Sequence, residues 1–258
     1  MASQPSLDEL RIVTLNIRHG GGRQIGPLTA RLLGYDADLL VVTEFQSSKG
    51  LTLIQALEAA GYETTHPDTD PKRNAVLIAS RHRIGEKWPF DEYLDPSHLW
   101  CVETAGITVC AAYLPVYTEQ RVPYWESLIG NAKRGGVNLI MGDFNGGKND
   151  LDRSPTGGKF SLPEMPDRLM ATGYTDLWRD AHPGERDYSY YSSKGGLPYN
   201  GFRIDFAFAD SELARCLIAC TFDHTPRTLG ETDHSALIVS LAHTGENPVA
   251  EAPAKLNT

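Results

Sequence analysis

The amino-acid sequence predicts an α/β fold in which two packed, mixed β-sheets are flanked by helices. Three observations support this class: strand-like segments outnumber helical ones, several neighbouring strands are joined by tight turns, and the longest strands are apolar almost throughout. A strand that is apolar on both sides must be covered on both sides. Two sheets packed together, with helices outside them, would provide that cover.

The first half of the chain alternates strands and helices. Strands are predicted at 11–17, 37–45 and 74–80, and helices at 26–36 and 51–61. Pro27 suits the first turn of one helix, and Gly61 ends the other. The segments 98–105 and 107–115 are strands joined across Gly106, which predicts a hairpin.

The second half is richer in strands. It contains a helix at 119–133 that Pro123 is expected to interrupt early, the strand VNLIMGDFN, a Gly-rich loop at 146–159, a short helix at 166–173, and strands at 186–192, 202–209, 214–223 and 235–241. The Gly-rich stretch KGGLPYNG is interpreted as a connection between two of these strands. Residues 10–242 contain no repeat or linker, which predicts one domain between a flexible N-terminus (1–9) and a disordered tail (243–258).

Composition is ordinary for a globular protein, with 41% hydrophobic and 22% charged residues in 258. No apolar run approaches the ~20 residues of a membrane span, and the N-terminus lacks the pattern of a secretory signal. The four cysteines, Cys101, Cys110, Cys216 and Cys220, form no CxxC pair. We therefore expect reduced, structural cysteines and a cytoplasmic protein without a membrane partner.

The net charge of −9 argues weakly against non-specific binding of polyanions. The charge is uneven, because two stretches, 10–35 and 71–85, contain basic residues and no acid. These stretches are either solvated faces or basic rims beside a site that meets phosphate.

Several apolar strands end on residues that can bind a metal or transfer a proton. These are Asn16, Glu44, Tyr113, Asp143 and Asn145, together with Asp233-His234 at the entrance to the last strand. A single Asp or Asn at such a place is usually a turn residue. Asp205 is different, since a charge inside a strand needs a partner, and His234 could be that partner.

This combination favours one chemistry. Carboxylate and amide oxygens without thiolates suit a hard cation, Mg²⁺ or Mn²⁺. An imidazole, a carboxylate and a phenol beside such a cation suit attack by water on a phosphate ester. Hydrolysis of that bond needs an oriented water, a cation to offset charge on the phosphoryl oxygens, and help for the leaving oxygen.

The ordered motifs LNI, TEF, AYLP, GDFN, RIDF and TDHSAL resemble the endonuclease/exonuclease/phosphatase superfamily, which has the deoxyribonuclease I-like fold. They span residues 10–242, and the segment from 156 to 210 is most similar to the exonuclease III and abasic-site endonuclease branch. The resemblance implies a four-layer α/β sandwich, Mg²⁺ or Mn²⁺ as cofactor, and DNA as the partner, with no protein partner evident and a monomer expected.

The resemblance also implies roles for the residues in these motifs. Glu44 would be the main metal ligand, with Asn16 and Asp233 close to the metal. Asp143 would orient or deprotonate the attacking water, and Asp205 would hold His234 in one tautomer. The remaining roles fall to Asn145 and His234 as stabilisers of phosphate charge, and to Tyr113 as a contact for the phosphate or leaving group.

Substrate-binding residues are implied in the same way. Tyr190, Tyr191 and Phe202 match the places where the repair branch lines a pocket for a base-less sugar, although core aromatics of adjacent strands are an equal alternative. Asn74 is assigned to substrate binding. Arg18 stands where repair members usually carry Asn or Asp, so it removes one possible metal-site oxygen and is expected to bind phosphate.

Three functions follow from these observations. The first is a metal-dependent DNA hydrolase acting as an abasic-site endonuclease, 3′-exonuclease or 3′-phosphodiesterase. The second is a phosphodiesterase or phosphatase of the same superfamily acting on RNA, a nucleotide or a phospholipid head group. The third, a catalytically dead binding module, would require loss of a motif residue, and none is lost. If His234 pairs with Asp205, its pKa should be raised and activity should fall at high pH.

Overall fold

The computed structural model describes residues 8–132, 136–194 and 197–243. Its strands are β1 Asp8–Asn16, β2 Leu39–Phe45, β3 Glu63–Thr65, β4 Ala75–Ser80, β5 Lys87–Pro89, β6 Leu99–Thr104, β7 Ile107–Tyr113, β8 Leu139–Asp143, β9 Thr175–Asp176, β10 Tyr190–Lys194, β11 Leu197–Phe202, β12 Asp205–Ala209, β13 Leu217–Asp223 and β14 Ala236–His243. Its helices are α1 Ile25–Gly34, α2 Ser47–Ala59, α3 Thr118–Ala132, α4 Met165–Met170, α5 Leu177–Ala181, α6 Ser211–Ala214 and α7 Thr225–Thr228, with a 3₁₀ turn at Gly22–Gln24.

The strands form two six-stranded mixed sheets and one hairpin. The first sheet has the order β13-β14-β1-β2-β4-β3, the second has the order β5-β6-β7-β8-β12-β9, and β10 pairs with β11 alone. In each sheet one parallel pair lies at the centre, β1 with β2 and β7 with β8. Residues that end these parallel strands therefore meet at one edge of each sheet.

Alternating side chains of the central strands pack on opposite sides, as the apolar runs predict. In β2, Val41 belongs to the core between the sheets, which also contains Met141 and Ala207 of the second sheet. Its neighbours Leu40 and Val42 belong to an outer core. This alternation follows from the two-residue repeat of a strand and explains why no polar residue interrupts LLVV.

Helices cover the outer faces of both sheets. Leu28 and Leu32 of α1 and Leu53 and Leu57 of α2 pack in the outer core of the first sheet. Trp125 and Leu128 of α3 and Leu169 of α4 pack on the second sheet with Phe206 and Phe208. The order of layers is helix, sheet, sheet, helix, which confirms the predicted four-layer α/β sandwich.

Three local predictions are wrong. The predicted strand 202–209 is two strands, β11 and β12, separated at Arg203, whose buried guanidinium pairs with Asp152 and Asp176 at 2.8 and 2.7 Å. Most of the Gly-rich connection is strand β11. Pro123 does not interrupt α3, which runs through it. Because Pro123 stands early in the helix, its missing N–H removes only one intrahelical bond.

The first sheet contains strands from both ends of the described chain, and the division into one domain with flexible termini stays a prediction. Strand β1 begins at Asp8 and β14 ends at His243, so residues predicted to be flexible at 8–9 are part of the first sheet. Residues 1–7 and 244–258 lie outside the described residues. Within the described residues no helix is long and apolar enough to cross a membrane, and all four cysteines are free.

Four of the seven arginines in the acid-free stretches are paired with acids from other parts of the chain. Arg31 lies 2.8 Å from Glu231, Arg81 lies 2.6 Å from Asp36, Arg18 lies 3.5 Å from Asp233, and Arg73 pairs with Asp95. These pairs neutralise much of the positive charge that the sequence concentrates in those stretches. The two stretches therefore carry less free positive charge than their sequence suggests.

Candidate active site

The ends of the central strands converge at one edge of the two packed sheets. Asn16 ends β1 and lies next to Thr43 of the parallel strand β2, one residue before Glu44. In the second sheet Asp143 ends β8 opposite Tyr113 of β7 and Asp205 of β12. The side-chain Nδ2 of Asn16 donates to Asp143 Oδ2 at 2.9 Å, across 127 positions of sequence. This hydrogen bond joins the two sheets at the site.

Three buried side chains, Asp143, His234 and Asp205, form a linked group at this edge, which we call the relay. His234 Nδ1 lies 2.8 Å from Asp205 Oδ2, and its Nε2 lies 3.9 Å from Asp143 Oδ2. All three residues are at most 4% exposed. Because Nδ1 faces Asp205, Nε2 is directed to Asp143 and the reaction site. The predicted pairing of Asp205 with His234 is confirmed.

Burial and mutual charge shift two titratable groups of the relay. Burial alone would lower the pKa of His234, but the charge of Asp205 and its hydrogen bond outweigh burial and raise that pKa to about 10. Burial and the charge of Asp205 raise the pKa of Asp143 to about 7, against the opposing effect of His234. The raised pKa predicted for His234 is confirmed, and Asp143 has a pKa suited to accepting a proton near neutral pH.

Glu44 lies beside the relay in a left-handed backbone conformation with a φ of 55°. A non-glycine residue adopts that conformation at a local cost that often marks a functional site. Glu44 Oε1 accepts from Asn16 at 3.1 Å, while Oε2 accepts from Asn74 Nδ2 at 3.0 Å and from the His19 N–H at 2.8 Å. Among the described residues Glu44 has no Lys or Arg ion pair, so its charge is available to a cation.

Asn16 is oriented by the residues around it. Its Nδ2 donates to both Glu44 and Asp143, and its Oδ1 accepts from the Arg18 N–H at 2.8 Å. In this orientation Asn16 connects the two carboxylates. The chain after Asn16 turns sharply, since Arg18 and His19 both have positive φ.

Tyr113 and Asn74 lie on the other side of Glu44. The Asn74 amide donates to the Tyr113 hydroxyl at 3.3 Å, and Gln46 donates to Asn74 Oδ1 at 2.7 Å. Burial, followed by the charge of Glu44, raises the pKa of Tyr113. The hydroxyl therefore stays protonated and can donate a hydrogen bond to an anionic group.

Asn145 is held by the loop that follows β8. It has a φ of 47°, its N–H donates to Asp143 Oδ1 at 2.8 Å, and its Nδ2 donates to the Leu114 carbonyl at 2.9 Å. The guanidinium of buried Arg121 donates to the Asn145 carbonyl. These contacts place the Asn145 amide beside Asp143, with Asn145 Nδ2 3.4 Å from Asp143 Oδ2.

Arg18 and Asp233 are the more exposed members of the site. Arg18 Nε lies 3.5 Å from Asp233 Oδ2, and their side chains are 64% and 36% exposed. The Thr232 hydroxyl, next in the chain to Asp233, donates to the Asn16 carbonyl at 2.7 Å. This hydrogen bond ties the TDHSAL motif to the end of β1.

The three aromatic residues predicted to line a pocket are divided between two places. Tyr190 pairs with Phe202 across the hairpin, and its ring lies 5.3 Å from that of His234. Tyr191 packs instead under the guanidinium of Arg227 at 4.4 Å, and it lines a separate cavity of about 380 Å³ that reaches Asp233. Tyr190 and Phe202 are therefore the pair nearest to the relay.

Sequence reasoning missed two residues of the site. His19 Nδ1 lies 3.0 Å from Glu44 Oε2, and Arg121 supports the backbone at Asn145. His19 could have been found from its place in the first motif, because it stands three positions after Asn16. Arg121 carries no local signal, since it reaches the site from the first turn of helix α3.

Several side chains of the site offer donor atoms for a cation. Within the described residues, Asp143, Asp205 and His234 have ligand atoms within 4.8 Å of one another. The Nδ1 atom of His234 is already held by Asp205, and an imidazole suits a hard cation less well than oxygen ligands do. Glu44 and Asp233 offer carboxylate oxygens and Asn16 offers an amide oxygen, which are the donors that Mg²⁺ prefers.

Comparison with known proteins agrees with this geometry. The model of the endonuclease/exonuclease/phosphatase family matches residues 13–227, more than four fifths of the chain. A search of curated proteins found no match.

Among solved structures, an AP endonuclease from Archaeoglobus fulgidus is 24% identical with a TM-score of 0.77, covering 89% of this chain and 98% of its own. A 3′ phosphatase, NExo, from Neisseria, bound to a product DNA hairpin, is 23% identical with a TM-score of 0.77, covering 90% and 99%. AP endonuclease LMAP from Leishmania major is 16% identical with a TM-score of 0.71, covering 93% and 89%.

These structures share the fold of the chain, and the family match covers Asn16, Glu44, Tyr113, Asp143 and Asp205, whereas Asp233 and His234 follow its last residue. The order of its motifs and the buried relay of Asp143, Asp205 and His234 are in keeping with that match. The chain belongs to the endonuclease/exonuclease/phosphatase family and is a hydrolase of phosphoric ester bonds.

Proposed function

We propose that the chain is a divalent-metal-dependent DNA phosphodiester hydrolase that acts as an abasic-site endonuclease and 3′–5′ exonuclease. The observation that carries the proposal is the buried Asp143–His234–Asp205 relay beside Glu44, with the rings of Tyr190 and Phe202 next to it. The names of the structural neighbours, two AP endonucleases and a 3′ phosphatase bound to DNA, support the same substrate class.

In this mechanism Asp143 holds the attacking water and accepts its proton. A carboxylate with a pKa of about 7 can accept and release a proton near neutral pH, as a general base must. Asn16 and the Asn145 N–H donate to opposite oxygens of Asp143 at 2.9 and 2.8 Å. These two bonds fix the plane of the carboxylate and therefore the direction of its remaining lone pairs.

His234 stabilises the charge that develops on the phosphoryl group. Its Nδ1–H is held by Asp205, and its Nε2–H is directed to the space beside Asp143. Because the imidazole stays protonated until about pH 10, its Nε2–H can donate a hydrogen bond to the phosphoryl group throughout the physiological pH range. Asn145 and the protonated hydroxyl of Tyr113 supply further donors from the second sheet.

Glu44 would be the main ligand of the cation, with Asn16 and Asp233 close to it, and the bound cation would offset negative charge on the phosphoryl oxygens. Arg18, paired with Asp233 and largely exposed, adds a fixed positive charge at the same edge. We propose that Arg18 contacts a substrate phosphate, and that Mg²⁺ or Mn²⁺ is the cofactor.

Tyr190 and Phe202 would form the wall of a pocket for a base-less sugar. Their rings lie 6.5 Å apart, and Phe202 also packs edge-on against Phe160 at 5.6 Å. Flat apolar walls exclude a nucleotide whose base is stacked and paired, and they accept a sugar that has left the helix. Tyr191 and Asn74 would contact the flanking substrate on either side.

A second candidate is a phosphodiesterase or phosphatase acting on RNA, a nucleotide or a phospholipid head group. The observation that favours it is the pairing of Arg18, Arg31, Arg73 and Arg81 with carboxylates. These pairs leave less free positive charge for gripping a DNA duplex. A small phosphoester needs only the relay and the cation.

Cleavage of a fluorescent duplex with one abasic-site analogue separates the two candidates. Intact duplex, single-stranded DNA, RNA and bis-p-nitrophenyl phosphate are the comparison substrates, each with Mg²⁺, Mn²⁺ or EDTA. We expect metal-dependent cutting at the abasic site that Asp143→Asn abolishes. Phe202→Ala should lose this cutting and keep hydrolysis of the small ester. If the native protein hydrolyses the small ester and none of the nucleic acids, the second candidate is supported instead.

The remaining parts of the proposal concern the cell and the assembly. We propose a cytoplasmic enzyme, which the four free cysteines support. We also propose that it acts as a monomer with DNA as its only partner. Size-exclusion chromatography with light scattering tests the monomer directly.

A further inference from the structure

A second cavity opens next to the proposed active site, on the side of Tyr113. It has a volume of about 630 Å³, within the usual range of small-molecule sites, and is lined mainly by Tyr93, Val116, Tyr117, Tyr124 and His98. We call it the tyrosine groove. Asn74 and Tyr113 also line it, and both lie at Glu44, so the groove is continuous with the site.

The rim of the tyrosine groove exposes large apolar side chains. Tyr93 is 87% exposed, Tyr117 is 72% exposed and Val116 is 61% exposed. Among the described residues, eight large hydrophobic side chains are classed as exposed, and three of these line this one cavity. Exposed apolar residues are ordinary when scattered, whereas a cluster beside a site indicates a binding surface.

The floor of the groove is a continuous set of rings. The imidazole of His98 stacks on Tyr113 at 5.5 Å and meets Tyr124 edge-on at 4.8 Å. His98 Nδ1 is bonded to the Tyr113 carbonyl, which can only accept, so Nδ1 carries the proton. Burial lowers the pKa of His98. The neutral ring therefore has Nε2 as an acceptor on the floor of the groove.

The tyrosine groove has no unpaired cation in its described lining, which favours an uncharged ligand. Its one arginine, Arg73, is paired with Asp95, which also lines the cavity. The other lining residues are rings, aliphatic groups, prolines, the amides of Asn74 and Gln120, and neutral His98. A phosphate would find no unpaired cation among these described residues. A flat, uncharged group with exocyclic N–H donors would find rings to stack on and an imidazole acceptor.

We propose that the tyrosine groove binds an unpaired nucleobase of the DNA strand, next to the phosphodiester bond that is cleaved. This inference rests on the proposed function and adds a specificity site to it. Tyr93 and Tyr117 stack on the base, and His98 accepts from its amino group. The enzyme then prefers substrates that have an unpaired nucleotide beside the scissile bond, such as a frayed or single-stranded end.

The test uses DNA with 2-aminopurine, a fluorescent base, at the nucleotide beside the scissile bond. One substrate leaves this nucleotide unpaired and the other places it in a full duplex. Binding is followed by anisotropy and base stacking by 2-aminopurine emission, both in the Asp143→Asn background with Mg²⁺. The test variants are Tyr93→Ala and Tyr117→Ala, and the matched controls are Tyr93→Phe and Tyr117→Phe, which keep the ring.

We expect the unpaired base to lose emission on binding, and each Ala variant to bind the unpaired substrate about five- to tenfold more weakly. The Phe variants should bind within about twofold of their parent, and none of the changes should alter binding of the full duplex. Both tyrosines are exposed, so their replacement should leave the melting temperature unchanged. Unchanged emission in the parent, or equal weakening of both substrates in the Ala variants, would overturn the proposal.

A parallel measurement separates this inference from the proposed function. Cleavage of the abasic duplex and of bis-p-nitrophenyl phosphate is measured in proteins that keep Asp143. If the protein does not cut the abasic duplex, but binding still lowers the emission of the unpaired base in a way that depends on the tyrosines, the groove proposal stands and DNA hydrolysis is rejected. If DNA is cut while emission stays unchanged, the groove proposal is rejected and the function stands.

Discussion

Replacing Asp205 by Asn should move both limbs of the pH–activity profile to lower pH. Asp205 is the carboxylate 2.8 Å from His234 Nδ1, and it also raises the pKa of Asp143. The asparagine side chain would be nearly isosteric with the aspartate but uncharged. The change therefore removes a charge and keeps the shape of a buried, tightly packed position.

The size of the effect follows from the pKa of His234. That pKa is about 10 in place of the ordinary 6.5, and each pH unit corresponds to about 1.4 kcal/mol. The folded protein therefore favours the imidazolium by on the order of 5 kcal/mol. An opposite charge in direct contact accounts for about one to three pH units. Burial lowers the pKa of His234, and without Asp205 only the charges of Asp143 and Asp233 oppose it. The pKa of His234 should therefore fall by about two units or more.

The two limbs report different groups. Activity rises as Asp143 loses its proton, around pH 7, and falls as His234 loses its proton, around pH 10. The rise lies near pH 7 and the fall near pH 10, so activity should be nearly constant only between about pH 8 and pH 9. In Asp205→Asn the fall should begin near or below pH 8, and the rise should begin below pH 7.

Two measurements check this reasoning. NMR of the imidazole nitrogens in metal-free protein, between pH 5 and 11, reports the pKa of His234 directly. Hydrolysis of bis-p-nitrophenyl phosphate across the same range reports the profile, and we expect the maximal rate to drop about 100-fold or more. If the pKa of His234 stays near 10 in the variant and both limbs of the profile are unmoved, the conclusion that Asp205 keeps His234 protonated is refuted.

Three further changes test other parts of the structure. Glu44→Gln should weaken Mg²⁺ binding at least tenfold by isothermal calorimetry while the melting temperature of metal-free protein holds, and unchanged affinity would remove Glu44 from the metal site. Gly142→Ala should lower the free energy of unfolding by about 3 kcal/mol, because its φ is 145° and a Cβ would lie 2.0 Å from the Ala112 carbonyl oxygen. Gly158→Ala, with open space around it, is the control, and equal urea midpoints for the two variants would contradict the argument. Arg203→Met should lower the free energy of unfolding by about 3–5 kcal/mol, because it leaves the buried Asp176 without its cation, while Asp152 keeps its pair with Arg179. Urea titration at pH 7 measures this loss, and a loss below about 1 kcal/mol would contradict the argument.

Much of the fold could be predicted from local patterns. The central strands, the hairpin across Gly106 and the outer helices follow from apolar periodicity and turn residues, which act over a few positions. Asn16, Glu44 and Asp143 could be found because each stands at, or one residue before, the end of a largely buried strand. The pairing of Asp205 with His234 could be predicted because a buried charge needs a partner.

Tertiary structure decided which side chains meet. The bond between Asn16 and Asp143 joins residues 127 positions apart, and it exists because the two sheets pack with their strand ends together. The split between β11 and β12 depends on Arg203, whose two aspartate partners lie in distant segments. Neither contact leaves a mark in the periodicity of the sequence.

The sequence by itself determined the strands, the helices and the chemistry of the residues at the strand ends, because those depend on burial and on near neighbours. The packing of the two sheets decided the pKa of Asp143 and His234, the neutralisation of the arginines and the tyrosine groove. Those properties depend on charges and rings brought together from far apart in the chain, where distance in space, and not in sequence, sets the interaction energy.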